Sequence, residues 1–268
     1  MAYGRQELVP LSEMLSFKGK TVLVTGAASG IGRAITRRFD EGEADLILLD
    51  INQEGLEKTR DGLKRAEAHS TYRVDLSSEN EINQFWNNLQ ILPDILINNA
   101  GIYPEQNFLE LDTQGFDKTF RVNFGSALWM CKNFIKLRGK AGGTIVNVSS
   151  IEAFLPFKKN MLPYSVAKGA VNTLSRCLVD ECRGKEFKIN TIIPGAIKTP
   201  GTKTMALKAI TNLRFDLVGT GIKFVQRLPK RRFGGPDEVA KPVLFFSSDL
   251  SSYVQGASLP VDGGFLSN

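Results

Sequence analysis

The sequence predicts an α/β fold of three layers, in which a doubly wound parallel sheet lies between two layers of helices. Two observations support this prediction. Short apolar, β-branched segments alternate with amphipathic helical segments, and a glycine-rich turn follows the first predicted strand. A length of 268 residues suits one large domain of this class, and no internal repeat or linker divides the chain.

The composition is that of a globular protein, with 42% hydrophobic and 23% charged residues. Cys131, Cys177 and Cys182 lack paired spacing, so we expect them to be reduced and packed inside, as suits a cytoplasmic protein. The single histidine, His69, is predicted at the surface, and no His/Cys cluster indicates a metal site. No segment is long and apolar enough to predict a membrane span.

A predicted nucleotide site follows the first strand, Thr21–Thr25. The glycine-rich turn 26–32 leads from this strand into a helical segment. Glycines let the backbone bend sharply and let a ligand approach, while the helix N-terminus directs N–H groups at a pyrophosphate. An ordinary loop is the alternative. We predict cofactor contacts at Gly26, Ser29, Gly30, Ile31 and Gly32.

An aspartate ends the second predicted strand, Asp45–Asp50. At this place Asp50 can accept hydrogen bonds from the ribose hydroxyls of an adenosine. Its charge would repel a 2′-phosphate, and no arginine or lysine follows at 51–53, so the pattern predicts NAD rather than NADP. The alternative is a strand that ends in a solvated aspartate.

The third and fourth predicted strands, 70–75 and 94–98, end in residues suited to the same ligand. Small residues there let the backbone pass close to a ribose, and asparagines can hold the turn. In a doubly wound sheet, ligands bind at the carboxyl ends of the strands. We therefore predict further cofactor contacts at Asp75, Leu76, Asn99, Ala100 and Gly101.

Tyr164 and Lys168 are four residues apart in a predicted helix, so their polar ends can reach one pocket. Tyrosine is a poor base at neutral pH because its reference pKa is about 10. An ammonium at about 4 Å would lower that pKa to roughly 7 in a medium of dielectric constant about 20. The pair is a candidate acid/base unit, although solvent-facing helices also carry this spacing.

Three motifs in this order resemble those of the short-chain dehydrogenase/reductase family: Thr25-Gly26-x-x-x-Gly30-x-Gly32, Asn98-Asn99-Ala100-Gly101 and Tyr164-x-x-x-Lys168. The resemblance covers nearly the whole chain. It implies a single Rossmann-type catalytic domain over residues 17–268, which leaves residues 1–16 as a loosely attached N-terminal extension. It also implies a homotetramer, joined through the helices predicted at 112–137 and 164–182 and through the last strand.

The resemblance implies a catalytic set of four residues. Tyr164 would exchange a proton with the substrate, and Lys168 would lower the tyrosine pKa and bind the nicotinamide ribose. Ser150 would hydrogen-bond the substrate oxygen, and Asn123 would brace a water linked to the lysine. The residues alone leave another explanation, because Asn123 and Ser150 could simply bond neighbouring backbone groups.

The segment Pro194–Pro200 follows the predicted strand 187–193 and, by itself, is typical of a turn. The resemblance implies that it holds the nicotinamide carboxamide, with cofactor contacts at Pro194, Gly195, Ile197 and Thr199. The loop Ile151–Pro163 departs from the family pattern, because Ala153 replaces the usual glycine and the loop is one residue longer. This loop is expected to border the substrate.

A basic segment from Lys198 to Arg232 carries nine lysines and arginines and one acidic residue, Asp216. We predict a substrate lid at about 198–235, with short helices at 203–213 and 216–225. The basic residues suit a solvated face or, alternatively, an anionic substrate. Because the rest of the chain is slightly acidic, we expect no nucleic-acid partner.

The predicted function is an NAD-dependent oxidoreductase that interconverts a secondary alcohol and a ketone. The alternative within enzymes is a reductase of 3-oxoacyl thioesters, on acyl carrier protein or coenzyme A, although Asp50 disfavours the NADPH that such enzymes usually use. The alternative outside enzymes is an NAD-binding sensor or scaffold. Joint retention of Asn123, Ser150, Tyr164 and Lys168 argues against it, because a sensor needs no proton relay.

Overall fold

The fold is that of a computed structural model, which describes residues 8–202 and 225–268. The described residues contain seven strands, most of which are apolar segments of the sequence. They are β1 (Thr21–Thr25), β2 (Asp45–Asp50), β3 (Ser70–Arg73), β4 (Ile95–Asn98), β5 (Gly143–Val148), β6 (Phe187–Pro194) and β7 (Ser258–Val261).

Eight α-helices lie between or before these strands in the described residues. They are α1 (Leu11–Met14), α2 (Gly30–Glu41), α3 (Gln53–Asp61), α4 (Glu79–Asn88), α5 (Thr113–Phe120), α6 (Ser126–Arg138), α7 (Leu162–Glu181) and α8 (Pro236–Ser247).

The seven strands form one parallel sheet in the order β3-β2-β1-β4-β5-β6-β7. The strand order reverses between β1 and β4, and helices cover both faces. This is the doubly wound, Rossmann-type arrangement, so the predicted fold is confirmed. Its reversal point opens a crevice at the carboxyl ends of the strands, where such sheets bind ligands.

Two apolar cores, one on each face of the sheet, follow from side-chain alternation along the strands. On β1, Val22 and Val24 belong to the core beneath α2 and α8, while Leu23 belongs to the core beneath α4 and α6. All three side chains are fully buried. The near-continuous apolar sequence of β1 is therefore that of a strand covered on both faces.

One helix differs from its prediction. The helix expected at 112–137 is continuous in course but contains a π-helical turn, Arg121–Gly125, between α5 and α6. Such turns are frequent at functional sites, and this one contains Asn123.

The surface position predicted for His69 is wrong. Its ring is fully buried, with Nε2 at 2.9 Å from Asp40 Oδ1. Because Nδ1 accepts a hydrogen bond from Leu46 N at 3.3 Å, the network assigns the proton to Nε2, which donates it to the aspartate. A polar ring is buried readily when both nitrogens find partners, and the partner here comes from α2.

The cysteine prediction holds for two of three residues. Cys131 and Cys182 are buried and unpaired, whereas Cys177 is unpaired and exposed on α7. Burial raises the pKa of the Cys131 thiol to about 12.

Parts of two predicted segments lie outside the described residues. These are residues 1–7 of the N-terminal extension and residues 203–224 of the lid, which include the helix expected at 203–213 and all but Val225 of the one expected at 216–225. Of the extension, 8–16 are described and largely exposed, and Phe17 is the first buried side chain. Within the described part of the chain, no helix is long and apolar enough to cross a membrane.

Candidate active site

A cavity of about 240 Å³ lies at the carboxyl ends of β4, β5 and β6. It brings three of the four predicted catalytic residues together: Ser150, Tyr164 and Lys168. It is also lined by seven other predicted cofactor contacts, namely Ile31, Asn99, Gly101, Pro194, Gly195, Ile197 and Thr199. Residues far apart in the sequence thus meet at one end of the sheet.

Lys168 lies one turn after Tyr164 on α7, and its buried side chain lines the cavity. Its ammonium donates a hydrogen bond to the carbonyl oxygen of Val148 at 2.8 Å. Burial lowers the pKa of Lys168 to about 8, because the charged form loses hydration. Its contact with the end of β5 fixes the lysine in the cavity wall.

The pKa of Tyr164 is raised to about 12, chiefly by burial and also by the nearby groups Glu152 and Tyr103. A hydrogen bond from Ser150 acts in the opposite direction. Lys168 is not among the groups that shift this pKa, and its ammonium bonds Val148 instead, so the lowering of the Tyr164 pKa by Lys168 stays a prediction. At neutral pH the tyrosine is therefore a phenol.

Ser150 is the second residue after β5, and its side chain is buried. Its hydroxyl accepts a hydrogen bond from the backbone N–H of Glu152 at 3.2 Å, as the cap of the short 3₁₀ turn Ile151–Ala153. The same hydroxyl is hydrogen-bonded to the Tyr164 side chain. Ser150 thus caps a backbone turn and also lies at the position that a substrate-binding serine needs.

Asn123 is buried in the π-helical turn and clamps the loop after β4. Its Nδ2 donates to the Ile102 carbonyl at 2.8 Å and its Oδ1 accepts from the Ile102 N–H at 3.2 Å. A Cβ built on Gly101 would lie 2.7 Å from Asn123 Oδ1 and 3.5 Å from Lys168 Nζ. Asn123 and Lys168 therefore flank one glycine, and the bracing of a water by Asn123 stays a prediction.

A buried polar chain holds α7 against the sheet. Asn98 Nδ2 donates to Asn147 Oδ1, and Asn147 Nδ2 donates to Ser175 Oγ, each at 2.8 Å. Thr191 on β6 also donates to Ser175 Oγ at 2.8 Å. Fully paired buried networks rigidify a core. This one ties β4, β5 and β6 to the helix that carries Tyr164 and Lys168.

The glycine-rich turn is closed by contacts that a larger residue would prevent. A Cβ built on Gly32 would lie 2.0 Å from the carbonyl oxygen of Gly26, whose φ is +67°. Thr25 Oγ1 accepts from the N–H groups of Asn99 and Ala100 at 3.0 and 3.1 Å. The turn after β1 and the turn after β4 are thereby locked together.

Asp50 is held at the end of β2 beside the same turn. Its Oδ2 accepts from the N–H of Ala28 at 3.1 Å and its Oδ1 from the N–H of Asn52 at 3.0 Å. Asp75 and Leu76 follow β3 but do not line the cavity. The Asp75 carboxylate accepts from the backbone and hydroxyl of Ser77 within its own turn.

The segment after β6 meets the glycine-rich turn across the crevice. A Cβ built on Gly30, which has a φ of +55°, would lie 3.4 Å from Thr199 Cβ. Thr202 Oγ1 accepts from the Thr199 N–H at 2.8 Å and donates to the Ile197 carbonyl at 3.0 Å. The predicted pyrophosphate and carboxamide contacts are therefore neighbours in space.

The cavity residues that are absent from the predicted site include Tyr103, Glu152, Phe157, Met161 and Thr202. The sequence held a signal for Glu152, because it is an acidic residue two positions after Ser150 in the loop expected to border the substrate. The other residues carried no signal beyond their place in loops. Across the described residues, no group of three His, Cys, Asp or Glu side chains is arranged to hold a metal ion.

Comparison with known proteins identifies the family. A family model described as enoyl-(acyl carrier protein) reductase matches residues 26–266. The chain is 32% identical to the 3-oxoacyl-[acyl-carrier-protein] reductase FabG of Thermotoga maritima, over 94% of this chain and 100% of that protein. The protein belongs to the short-chain dehydrogenase/reductase family. The resemblance drawn from the three motifs is therefore confirmed.

Two further proteins resemble the chain over nearly its whole length. The uncharacterized oxidoreductase YvaG of Bacillus subtilis is 32% identical over 94% of this chain and 98% of its own length. A proposed 2-deoxy-D-gluconate 3-dehydrogenase from Agrobacterium tumefaciens, solved with bound NADP, superposes with a TM-score of 0.83. It is 28% identical, over 95% of this chain and 99% of that one. The chain is thus an oxidoreductase of a family that binds nicotinamide cofactors.

Proposed function

We propose that the protein is an NAD-dependent oxidoreductase that interconverts a secondary alcohol and a ketone. Tyr164, Lys168, Ser150 and Asn123 would form its proton relay. The observation that carries the proposal is the meeting of Ser150, Tyr164 and Lys168 in one cavity with the predicted nicotinamide contacts. Three polar groups at this spacing can orient an oxygen and exchange a proton with it.

Tyr164 would exchange the proton. Its raised pKa makes it a phenol at neutral pH, which suits proton donation to a carbonyl oxygen. Oxidation of an alcohol needs the phenolate instead, and that state requires positive charge close by. Ser150, already bonded to Tyr164, would hold the substrate oxygen beside the phenol.

The residues of the crevice fit a dinucleotide. Gly26 and Gly30 have positive φ, and Gly30 lies close to Thr199, so a ligand could approach the backbone at these two glycines, which carry no side chain. Asp50 would accept from ribose hydroxyls, and Ile197 and Thr199 would hold the carboxamide. A bound nicotinamide cofactor would accept or supply the hydride, and its oxidised ring carries positive charge.

Preference for NAD rests on Asp50. Its carboxylate is tied to the glycine-rich turn through Ala28, so it cannot swing away from an adenosine ribose without losing a hydrogen bond. A 2′-phosphate there would meet a fixed negative charge. The related Agrobacterium structure holds NADP, so the preference of this protein for NAD over NADP has to be measured.

A homotetramer in the cytoplasm and a small-molecule substrate complete the proposal. Phe116, Phe120 and Phe124 form a half-buried ring series along α5 and the π-helical turn, with centroids 5.5 and 5.2 Å apart. This aromatic face supports association through that helix. Light scattering on the purified protein should give four times the mass of the chain, and a monomer would contradict this part of the proposal.

The test is a dehydrogenase screen with NAD and NADP over sugars, polyols, hydroxy acids and 3-hydroxyacyl thioesters. We expect NAD reduction with a secondary alcohol, and its loss in Lys168→Ala. Preferential turnover of 3-hydroxyacyl thioesters with NADP would favour the acyl-thioester reductase, which the FabG relative makes the second candidate. NAD binding without any turnover would favour a sensor.

A further inference from the structure

One acidic side chain, Glu152, lies in the wall of the substrate cavity. It and Lys168 are the two charged residues among the described residues that line the cavity. Only 6% of Glu152 is exposed, and it follows Ser150 by two residues in the 3₁₀ turn. Burying a carboxylate costs free energy unless it is paired, so its place needs an explanation.

The contacts of Glu152 within the chain leave part of its acceptor capacity unused. Its Oε2 accepts from the Phe157 N–H and from Ser165 Oγ, both at 3.4 Å, the long limit of a hydrogen bond. The backbone N–H of Lys158 also bonds the carboxylate, which has about four acceptor sites. The Lys158 ammonium bonds Glu105 at 2.6 Å rather than Glu152. Burial accordingly raises the pKa of Glu152.

Glu152 also lies close to the reacting position. Its charge is among the causes that raise the Tyr164 pKa, and Ser165, which it contacts, directly follows Tyr164 on α7. The neighbouring wall is formed by Ile151, Phe157 and Met161, which are apolar. A substrate held at Tyr164 would therefore present its remaining atoms to one acceptor in an apolar surrounding.

We propose that Glu152 is a specificity-determining residue that accepts a hydrogen bond from a second hydroxyl of the substrate. The substrate class is then a polyol or a sugar with a hydroxyl near the reacting carbon. This inference rests on the proposed oxidoreductase function. A carboxylate or a plain acyl chain placed here would respectively repel the glutamate or leave it without a partner.

The second hydroxyl would donate a hydrogen bond to Glu152, which its contacts at 3.4 Å with Phe157 and Ser165 supply only weakly. A site built to bond a hydroxyl discriminates strongly against the analogue that lacks it, since the buried acceptor is then left unpaired. The basic lid suggested an anionic substrate, but four of its nine cations lie outside the described residues, and Arg232 is paired with Glu238 at 2.7 Å. Charge within the cavity wall lies nearer the reacting position.

The test compares polyols with matched deoxy analogues that lack one hydroxyl beside the reacting carbon. In the native enzyme kcat/KM should fall about 10- to 100-fold on loss of that hydroxyl. In Glu152→Ala the polyols should lose most of this advantage, so that polyol and deoxy analogue agree within about threefold, whereas Glu152→Gln keeps an uncharged acceptor and should lose only part of it. A penalty of unchanged size in both variants would overturn the assignment.

Ser165→Ala separates recognition from loop support. It removes the contact of Glu152 with α7 and keeps the carboxylate, so the hydroxyl preference should survive. If Ser165→Ala abolishes the preference as completely as Glu152→Ala, Glu152 acts by holding the loop and the proposal is wrong. NADH binding by fluorescence and the melting temperature show whether each variant has folded.

Failure of the two proposals would look different. If the native enzyme turns over alcohols or ketones but treats polyols and deoxy analogues alike, the role of Glu152 is wrong and the oxidoreductase function stands. If no alcohol, ketone or thioester in the screen is turned over although NADH binds, the oxidoreductase function is wrong, and the role of Glu152 falls with it.

Discussion

The nucleotide side and the substrate side of the crevice differ in how firmly their residues are held in place. On the nucleotide side, a Cβ on Gly32 would lie 2.0 Å from Gly26 O, and Asp50 is fixed by two backbone N–H groups. On the substrate side, the Glu152 contacts with Phe157 and Ser165 are both 3.4 Å long, and half of Phe154 is exposed. Backbone contacts fix the first side, and replaceable side chains form the second.

This difference explains how one fold serves many substrates. The nucleotide turn depends on glycines whose replacement would move backbone, so variation there disturbs the whole strand–turn–helix unit. The substrate wall consists of loop side chains, which can change without moving the sheet. The reaction class is thus set by the rigid side and the substrate by the adaptable one.

The largest effect should come from the residue at which the two sides meet. Tyr164→Phe removes the proton donor and keeps the ring, so turnover should fall by roughly 10³-fold or more, while NAD affinity stays within about threefold. Steady-state kinetics and NADH fluorescence titration measure the two quantities. Turnover near the native rate would show that Tyr164 is not the acid/base.

The rigidity of the nucleotide side is tested by Gly32→Ala. Its Cβ would overlap the Gly26 carbonyl, so backbone must move, and we expect a loss of about 2–4 kcal/mol in stability together with weakened NAD binding. The matched control is Gly62→Ala, where the nearest atom would be at 3.4 Å and φ is −87°. Equal melting temperatures for the two variants would show that the nucleotide turn at Gly32 is no more rigid than the turn at Gly62.

Cofactor choice should respond to Asp50 alone. Asp50→Asn keeps an acceptor and removes the charge that opposes a 2′-phosphate, so the ratio of kcat/KM for NADP to that for NAD should rise about tenfold, or about 1.4 kcal/mol. The control is Asp75→Asn on the neighbouring turn, which should leave the ratio nearly unchanged. A native enzyme that already prefers NADP would contradict the premise.

The substrate side should influence the pH profile. Because the charge of Glu152 contributes to the raised pKa of Tyr164, Glu152→Gln should lower that pKa. Oxidation requires the phenolate, so the limb along which kcat/KM rises with pH should move to lower pH. Tyr103 and Lys168 also lie near the phenol, and their retention makes the shift attributable to Glu152. A shift to higher pH would contradict this electrostatic picture.

The smallest effect is expected away from both sides, where Arg38 on α2 pairs with Asp237 on α8 at 2.8 Å. This pair lowers the pKa of Asp237 to about 2, so its contribution is complete above the unfolded value near 4 and is lost as pH falls toward 2. Because both side chains are more than a third exposed, solvent screening limits the loss in Arg38→Ala to about 1 kcal/mol.

The measurement for Arg38→Ala is urea unfolding at pH 6 and pH 2. The destabilisation should be clear at pH 6 and shrink at pH 2, and added salt should reduce it. Asp237→Asn is the matching variant. A loss that persists at pH 2 would show that Arg38 acts through packing rather than through the ion pair, and the kinetic constants should change in neither case.

Much of the nucleotide side could be predicted because its signals are local. The glycine spacing after β1, the aspartate that ends β2 and the Asn-Ala-Gly turn after β4 each indicate their conformation within a few residues. Asp75 and Leu76 followed from the same logic. The Asp75 carboxylate bonds its own turn, and the contact of these two residues with a cofactor stays a prediction.

The sequence by itself determined the order of strands and helices, the glycine turn and the helical spacing of Tyr164 and Lys168, since each depends on backbone geometry over one or two turns. Only the tertiary structure decided that His69 is buried on Asp40, that Glu152 enters the cavity wall, and that the Tyr164 pKa rises. These outcomes depend on burial and on which distant groups face each other across the sheet, and no periodicity in the chain encodes them.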